Sequence, residues 1–254
     1  MKMDELEGRM RSFEDAHDPT APPGVWLVAR LDGRSFTRLT KQTHRFEAPF
    51  DPLFHDYMMN TVEHLMVRGG LGVVFGFTQS DEISLLFGAN ERGFGRKIRK
   101  LLSILAGEAS ARFSLLLGSI AVFDCRVSQL PSHEHVVDYF RWRSEDARRN
   151  ARNAHCYWLL RKQGQDPGEA TETMRGLTVR EKNELLLRGG VDFNDLPAWQ
   201  TRGSGLYWEE FERFGENPLT GERRASRRRR LRRDLDLPRG DDYSAFLSGL
   251  MDQI

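Results

Sequence analysis

Two segments place carboxylates where an apolar stretch gives way to a turn: Ala29-Arg30-Leu31-Asp32-Gly33-Arg34-Ser35-Phe36 and Phe77-Thr78-Gln79-Ser80-Asp81-Glu82-Ile83-Ser84. Brought together, Asp32 and Asp81 would hold two divalent cations between shared carboxylates. That arrangement stabilises both the attacking and the leaving oxygen of an in-line phosphoryl displacement. Hard oxygen ligands and retained waters suit magnesium. Gly33 has no Cβ, so its carbonyl can approach a metal or phosphate closely. Glu82 would complete the metal shell or support it by hydrogen bonds. The amides of Arg34, Ser35, Phe36 and Thr37 enter a short helix, and free N–H groups at a helix start suit a triphosphate. Taken separately, Asp-Gly is also an ordinary turn dipeptide and Ser-Asp-Glu an ordinary hairpin tip.

Basic residues supply the second set of candidates. Lys97 and Lys100 share a helical face next to Arg96 and could grip a triphosphate or simply face solvent. Residues 141–153 mix arginines and asparagines with Trp142. Arg143, Arg148, Asn150 and Arg152 in that stretch suit phosphate and base-edge contacts in RNA, as well as surface ion pairs. His133 and His135 diverge at a helix start, which favours a structural role over metal binding. Residues 221–233 carry eight arginines against one glutamate, leaving the rest of the chain net acidic by six. A mildly acidic body with one intensely basic stretch predicts a polyanionic partner, bound less tightly as salt rises.

The elements that must position these groups follow from periodicity and punctuation. Residues 4–16 predict a charged helix, and Pro19, Pro22 and Pro23 a linker. Residues 25–31 are apolar nearly throughout, as in an inner strand. Asp51-Pro52 marks a helix N-terminus that runs to Arg68-Gly69-Gly70. Residues 71–78 and 83–87 predict an antiparallel hairpin. Residues 93–117 predict a long helix, 120–127 a strand, 133–163 another long helix and 171–188 further helix. The order strand–helix–strand–strand–helix–strand is that of a split βαβ unit. The fold class is therefore α+β, a ferredoxin-like, palm-type antiparallel sheet with flanking helices. Two domains are expected: a palm-type catalytic domain with helical additions over 1–214, and a basic, flexible or partner-ordered tail over 215–254.

The 254 residues suffice for one good core. No apolar run is long enough for a membrane span, and the acidic N-terminus lacks an apolar signal core. A cytoplasmic protein is expected. Cys125 and Cys156 stand far apart, without the spacing of a zinc knuckle or a disulfide framework.

These segments resemble the tRNA-His guanylyltransferase superfamily, the 3′–5′ polymerases. The resemblance runs from about Leu6 to Trp208. Beyond the two acidic motifs it includes Phe123-Asp124-Cys125-Arg126-Val127, Tyr139-Phe140-Arg141-Trp142-Arg143, Glu181-Lys182-Asn183-Glu184 and Thr201-Arg202-Gly203-Ser204-Gly205. It implies a palm binding two magnesium ions through Asp32, the Gly33 carbonyl and Asp81, with Glu82 close by. It implies phosphate contacts from Ser80, Lys97 and Lys100, with Lys182 and Asn183 near the site. The implied substrates are ATP or GTP and a tRNA, whose activated 5′ end is attacked by the 3′-hydroxyl of an incoming nucleotide. The implied assembly is a homo-oligomer, dimer or tetramer. Residues 148–154 keep only Asn150 of the asparagine-rich motif of the guanylyltransferases proper. The resemblance is therefore to the guanylyltransferase-like branch, which repairs truncated tRNA 5′ ends against a template. A lysine that the guanylyltransferases use near the triphosphate falls at Ala48, with Lys41 and Arg45 as the nearby bases. Two other readings fit the same residues: a nucleotide cyclase or signalling enzyme on a palm, and a non-catalytic RNA-binding protein.

Overall fold

The computed structural model describes residues 2–16, 18–216 and 223–252. The helices are α1 (Met3–Asp15), α2 (Phe36–Arg38), α3 (Pro52–Val67), α4 (Ile98–Leu117), α5 (His133–Lys162), α6 (Pro167–Met174), α7 (Val179–Arg188), α8 (Ala198–Thr201) and α9 (Gly240–Met251). The strands are β1 (Trp26–Gly33), β2 (Val73–Gln79), β3 (Glu82–Phe87), β4 (Phe123–Leu130), β5 (Ser204–Glu216) and β6 (Arg223–Asp234). They form one antiparallel sheet in the order β4-β1-β3-β2-β5-β6. No helix among the described residues is long and apolar enough to cross a membrane.

Alternation along β1 sorts its side chains onto two cores. Leu27, Ala29 and Leu31 join Met58, Val62 and Leu65 of α3 and Leu101, Leu105 and Phe113 of α4. Trp26 and Val28 join Val136 and Phe140 of α5 and Tyr243 and Leu247 of α9. Asp51 caps α3 as its sequence demands, its carboxylate accepting from the Leu53 and Phe54 amides at 2.8 and 3.0 Å. α1 buries none of its residues, and Met3, Met10 and Phe13 stay exposed.

Three expectations need correction. The helix expected from 93 begins at Ile98, because Phe94 and Gly95 adopt left-handed backbone angles and Lys97 is the N-cap. The domain boundary expected at 214/215 would cut β5. Residues 223–234 pair along β5, and Tyr243, Leu247, Leu250 and Met251 of α9 are buried in the second core. The described part of the C-terminal stretch is thus strand and helix continuous with the palm, while residues 217–222 of the expected tail lie outside the described residues. Gly203 makes the join between α8 and β5 at φ +84°, with the Phe77 ring 2.6 Å and the Thr78 carbonyl 2.9 Å from where a Cβ would sit. Gly203→Ala should lower unfolding stability by about 2–3 kcal/mol, combining left-handed strain with overpacking. Thermal denaturation reads the loss.

Candidate active site

β1, the β2–β3 turn and the start of β4 end together at one edge of the sheet. Asp32 stands opposite Glu82 on β3 and opposite Asp124 on β4. The Gly33 amide donates to the Asp81 carbonyl at 3.1 Å, tying the two acidic turns directly. Both turns hold a non-glycine residue in left-handed conformation, Ser35 at φ 62° and Ser80 at φ 55°. Such strained positions persist where surrounding structure over-determines them, and they cluster at functional sites. A Cβ at Gly33 would collide with the Phe36 ring, so only glycine fits there.

The electrostatics single out Asp81. Burial, and then the charge of Asp32, push its carboxyl up to about 6. Its hydrogen-bond donor is the Ser80 hydroxyl, at 3.1 Å. A carboxylate pair that is half-buried, mutually repelling and unmatched by a nearby side-chain cation suits a metal ion. Among the described residues, no three or more His, Cys, Asp or Glu side chains gather around one point. The residues this edge brings together as possible donors are Asp32, Gly33 and Asp81, the set the resemblance implies. Magnesium accepts that set, since it binds through one or two carboxylates and fills its octahedron with water and phosphate oxygens. Glu82 is engaged elsewhere: its carboxylate lies 3.2 Å from the Arg143 guanidinium and 4.0 Å from that of Arg30. Burial raises its pKa against the pull of Arg143. Asp124 turns to Arg126 at 3.6 Å.

A cavity of about 660 Å³ opens beside Ser80 and Asp81. Phe36, Phe50, Tyr157, Trp158 and Trp199 give it aromatic walls. Lys41 lies in its wall, with Nζ 5.6 Å from the centroid of the Trp158 ring, and burial lowers its pKa. His55 is pushed down to about 4 by burial and lies tilted against Trp199 with ring centroids 4.5 Å apart, so it is a neutral wall. None of Phe50, Tyr157, Trp158 and Trp199 stands out in the sequence, although two adjacent aromatics after Asn153 on α5 are a usable signal. Thr37 lines the same cavity, whereas Arg34 and Ser35 are exposed at its edge of the sheet.

The basic candidates divide. Lys97 and Lys100 are not at this edge. Lys97 pairs with Asp18 at 2.7 Å, and the Ile98 amide bonds Pro19, at the end of the sheet where β1 begins. The twenty-residue α4, ~30 Å long, runs from there to the edge where Arg34 donates to the Val122 carbonyl. Arg143 and Arg152 are buried in the protein rather than offered to RNA, Arg152 donating to the Asn183 side chain at 2.9 Å. Lys182 is half-buried on α7, beside α5. Arg148 lines a second cavity, and Asn150 is exposed, donating to Asp146 at 3.1 Å. His133 packs edge-on against Trp26, and His135 bonds the Ser132 cap.

The sequence model described as tRNAHis guanylyltransferase matches residues 7–131, and that of the Thg1 C terminal domain matches residues 134–236. The chain belongs to the tRNA(His) guanylyltransferase family. A probable tRNA(His) guanylyltransferase of Drosophila melanogaster is 32% identical over 207 residues, spanning 78% of this chain and 71% of its own. One of Dictyostelium discoideum is 31% identical over 194 residues, spanning 72% and 75%. A bacterial tRNA(His) guanylyltransferase-like protein solved in complex with ATP superposes with a TM-score of 0.69 at 27% identity, covering 80% of this chain and 88% of that one. The Saccharomyces cerevisiae tRNA(His) guanylyltransferase shares the fold, with a TM-score of 0.72 at 24% identity over 79% and 92% of the two chains. The α+β fold and the nucleotidyltransferase class expected from the sequence are those of this family.

Proposed function

We propose that the protein is a magnesium-dependent 3′–5′ nucleotidyltransferase that adds nucleotides to the 5′ end of a tRNA, directed by the opposing strand. The observation that carries this is the convergence of Asp32, Gly33 and Asp81 beside a cavity with room and aromatic surface for a nucleoside. Two bound magnesium ions would neutralise charge on the phosphates and make the attacking hydroxyl more acidic. The incoming nucleotide's 3′-hydroxyl attacks the activated 5′ phosphorus of the RNA. Its bond to phosphorus forms as the bond to pyrophosphate or AMP breaks, and the hydroxyl proton passes to solvent. The chain's own part is placement: the strained turns fix the acids, the aromatic walls hold the base, and Lys41 brings a cation to the cavity in place of the lysine lost at Ala48. Lys97 and Lys100 would meet phosphate only from elsewhere on the RNA or from another subunit's site. The exposed apolar side of α1 supports a homo-oligomer, dimer or tetramer.

The RNA-binding arm is the β5–β6 ribbon, where Arg227, Arg228 and Arg229 are exposed. Its base is anchored, with Arg233 bound to Asp56 and Glu63 of α3 at 3.1 and 2.5 Å and Arg230 to Glu209 at 2.8 Å. Changing Arg227, Arg228 and Arg229 together to glutamine should weaken tRNA binding and flatten its salt dependence by about two to three in log–log slope. Fluorescence anisotropy over a salt series measures it.

The deciding experiment offers a 5′-truncated, 5′-monophosphorylated tRNA with ATP, magnesium and each nucleotide in turn. Extension by the nucleotide that pairs with the opposing base is expected. A cyclic product from ATP or GTP without RNA would favour a cyclase. RNA binding indifferent to magnesium, with no extension, would favour a binding protein.

A further inference from the structure

A second, smaller cavity of about 110 Å³ opens where the flank of α5 meets the start of α9 and the turn after α8. Four arginines line it: Arg141 and Arg148 on one stripe of α5, Arg202 after α8, and Arg239 at the N-cap of α9. Glu145 is the carboxylate in its lining. Arg202 is paired, 2.5 Å from Asp236 and donating to the Leu237 carbonyl at 3.0 Å. Among the described residues, Arg141, Arg148 and Arg239 have no carboxylate within ion-pairing distance. Arg141 and Arg239 are exposed and Arg148 is half-buried, so the cavity carries more positive charge than Glu145 and Asp236 offset.

Two further observations point the same way. Tyr243 lines the cavity with 2% of its surface exposed, and its hydroxyl has no hydrogen-bond partner. The Arg202 Nε, also buried, has none either. Buried polar groups are nearly always paired, so each of these calls for an explanation. Gly240, also in the lining, opens the twelve-residue α9, whose N-cap residue makes no side-chain cap bond. First-turn amides left uncapped add partial positive charge, against which Asp241 and Asp242 of the same turn set two carboxylates. Burial first, and then the charge of Arg239, lower the pKa of Arg202, which an anion in the cavity would reverse.

We propose that this cavity is a phosphate site that takes a backbone phosphate of the RNA. Its size admits a phosphate group and not a nucleoside. Arg143 and Asp146 face Glu82 at the acidic edge, while Arg141, Glu145 and Arg148 face α9. The width of one helix, ~10–12 Å, therefore separates the cavity from that edge. A strand whose 5′ end lies at Asp81 has other phosphates within that reach. The choice of RNA as the source rests on the proposed function; the phosphate chemistry does not.

The test uses the full chain. Melting temperature is followed against inorganic phosphate, with chloride holding ionic strength constant. Phosphate should protect the wild type, and the concentration needed should rise roughly tenfold in Arg239→Gln, Arg148→Gln and Tyr243→Phe, as expected for loss of a hydrogen bond to a charged group. Tyr243→Phe should melt no lower than wild type without phosphate, since it removes an unpaired hydroxyl. Asp81→Asn should respond to phosphate like wild type, which separates this site from the catalytic one. A second arm measures anisotropy of a 5′-monophosphorylated tRNA over a salt series. A log–log slope lowered by about one in Arg239→Gln assigns the phosphate to RNA. An unchanged slope with lost phosphate protection assigns the site to free phosphate. No protection of the wild type, or equal protection of wild type and an Arg148→Gln, Arg239→Gln double variant, overturns the proposal.

Discussion

Asp81→Asn is expected to abolish nucleotide addition and yet to raise the melting temperature of the metal-free protein at neutral pH. Metal-held phosphate charge is worth several kcal/mol in the transition state, and each 1.36 kcal/mol is tenfold, so the loss in rate should be about a thousandfold or more. The gain in stability follows from proton linkage. Burial and Asp32 lift the Asp81 pKa from 3.8 to about 6. The folded state therefore holds this proton more tightly than the unfolded chain, and stability falls as pH climbs through that window and stays lowered above it. The penalty at neutral pH is on the order of 1–3 kcal/mol, and an asparagine does not incur it. Melting curves on either side of pH 6 should converge for the variant and diverge for the wild type. Magnesium should stabilise the wild type and leave the variant unmoved. A variant that still extends tRNA would sink the catalytic assignment, and one that melts lower than wild type at neutral pH would sink the electrostatic one.

The second large effect belongs to Arg143. Its side chain is 4% exposed, and its guanidinium bridges Glu82 at 3.2 Å and Asp146 at 2.7 Å and lies 3.8 Å from the centroid of the Trp142 ring. Arg143→Met would leave two carboxylates facing each other with little water. Breaking a buried pair in this way costs about 3–5 kcal/mol, or roughly 10 °C in a chain of this size. The double variant Arg143→Met, Glu82→Gln should recover part of the loss, because only Asp146, which Arg149 and Asn150 still hold, then stays charged. A surface arginine that merely touches RNA would show neither the drop in melting temperature nor its rescue.

The acidic hairpin was legible because apolar runs flank a polar tip whose residues suit a turn, and Asp51-Pro52 because a cap and a first-turn proline act locally. The β5–β6 ribbon was not. Beyond Trp208 and Leu231, which still pack against the core, the described side chains of its strands are mostly exposed, so no core imposes an alternating apolar pattern, and an arginine run there reads like a tail. Phe94 and Gly95 hid a break inside a helical pattern, which moved Lys97 off the helix and to the far end of the sheet. Arg143 and Arg152 looked solvent-facing because an arginine gives no local sign that a carboxylate or an asparagine from another element will meet it. The aromatic cavity draws Phe50, Tyr157 and Trp199 from distant parts of the chain, and only the folded topology brings them together.

In the proposed role the ribbon would also act as a gauge. Its strands stay hydrogen-bonded from the pair Gly205–Asp234 out to Glu216–Arg223, while β2 holds its root no further than Tyr207. At ~3.3 Å per residue its overhang is ~30 Å. The span between the acidic edge and whatever the arm grasps is thereby set by a count of residue pairs. Lengthening or shortening both strands by two residues would slide the grip by ~7 Å, altering which lengths of acceptor can be seated while leaving the chemistry at the other end untouched.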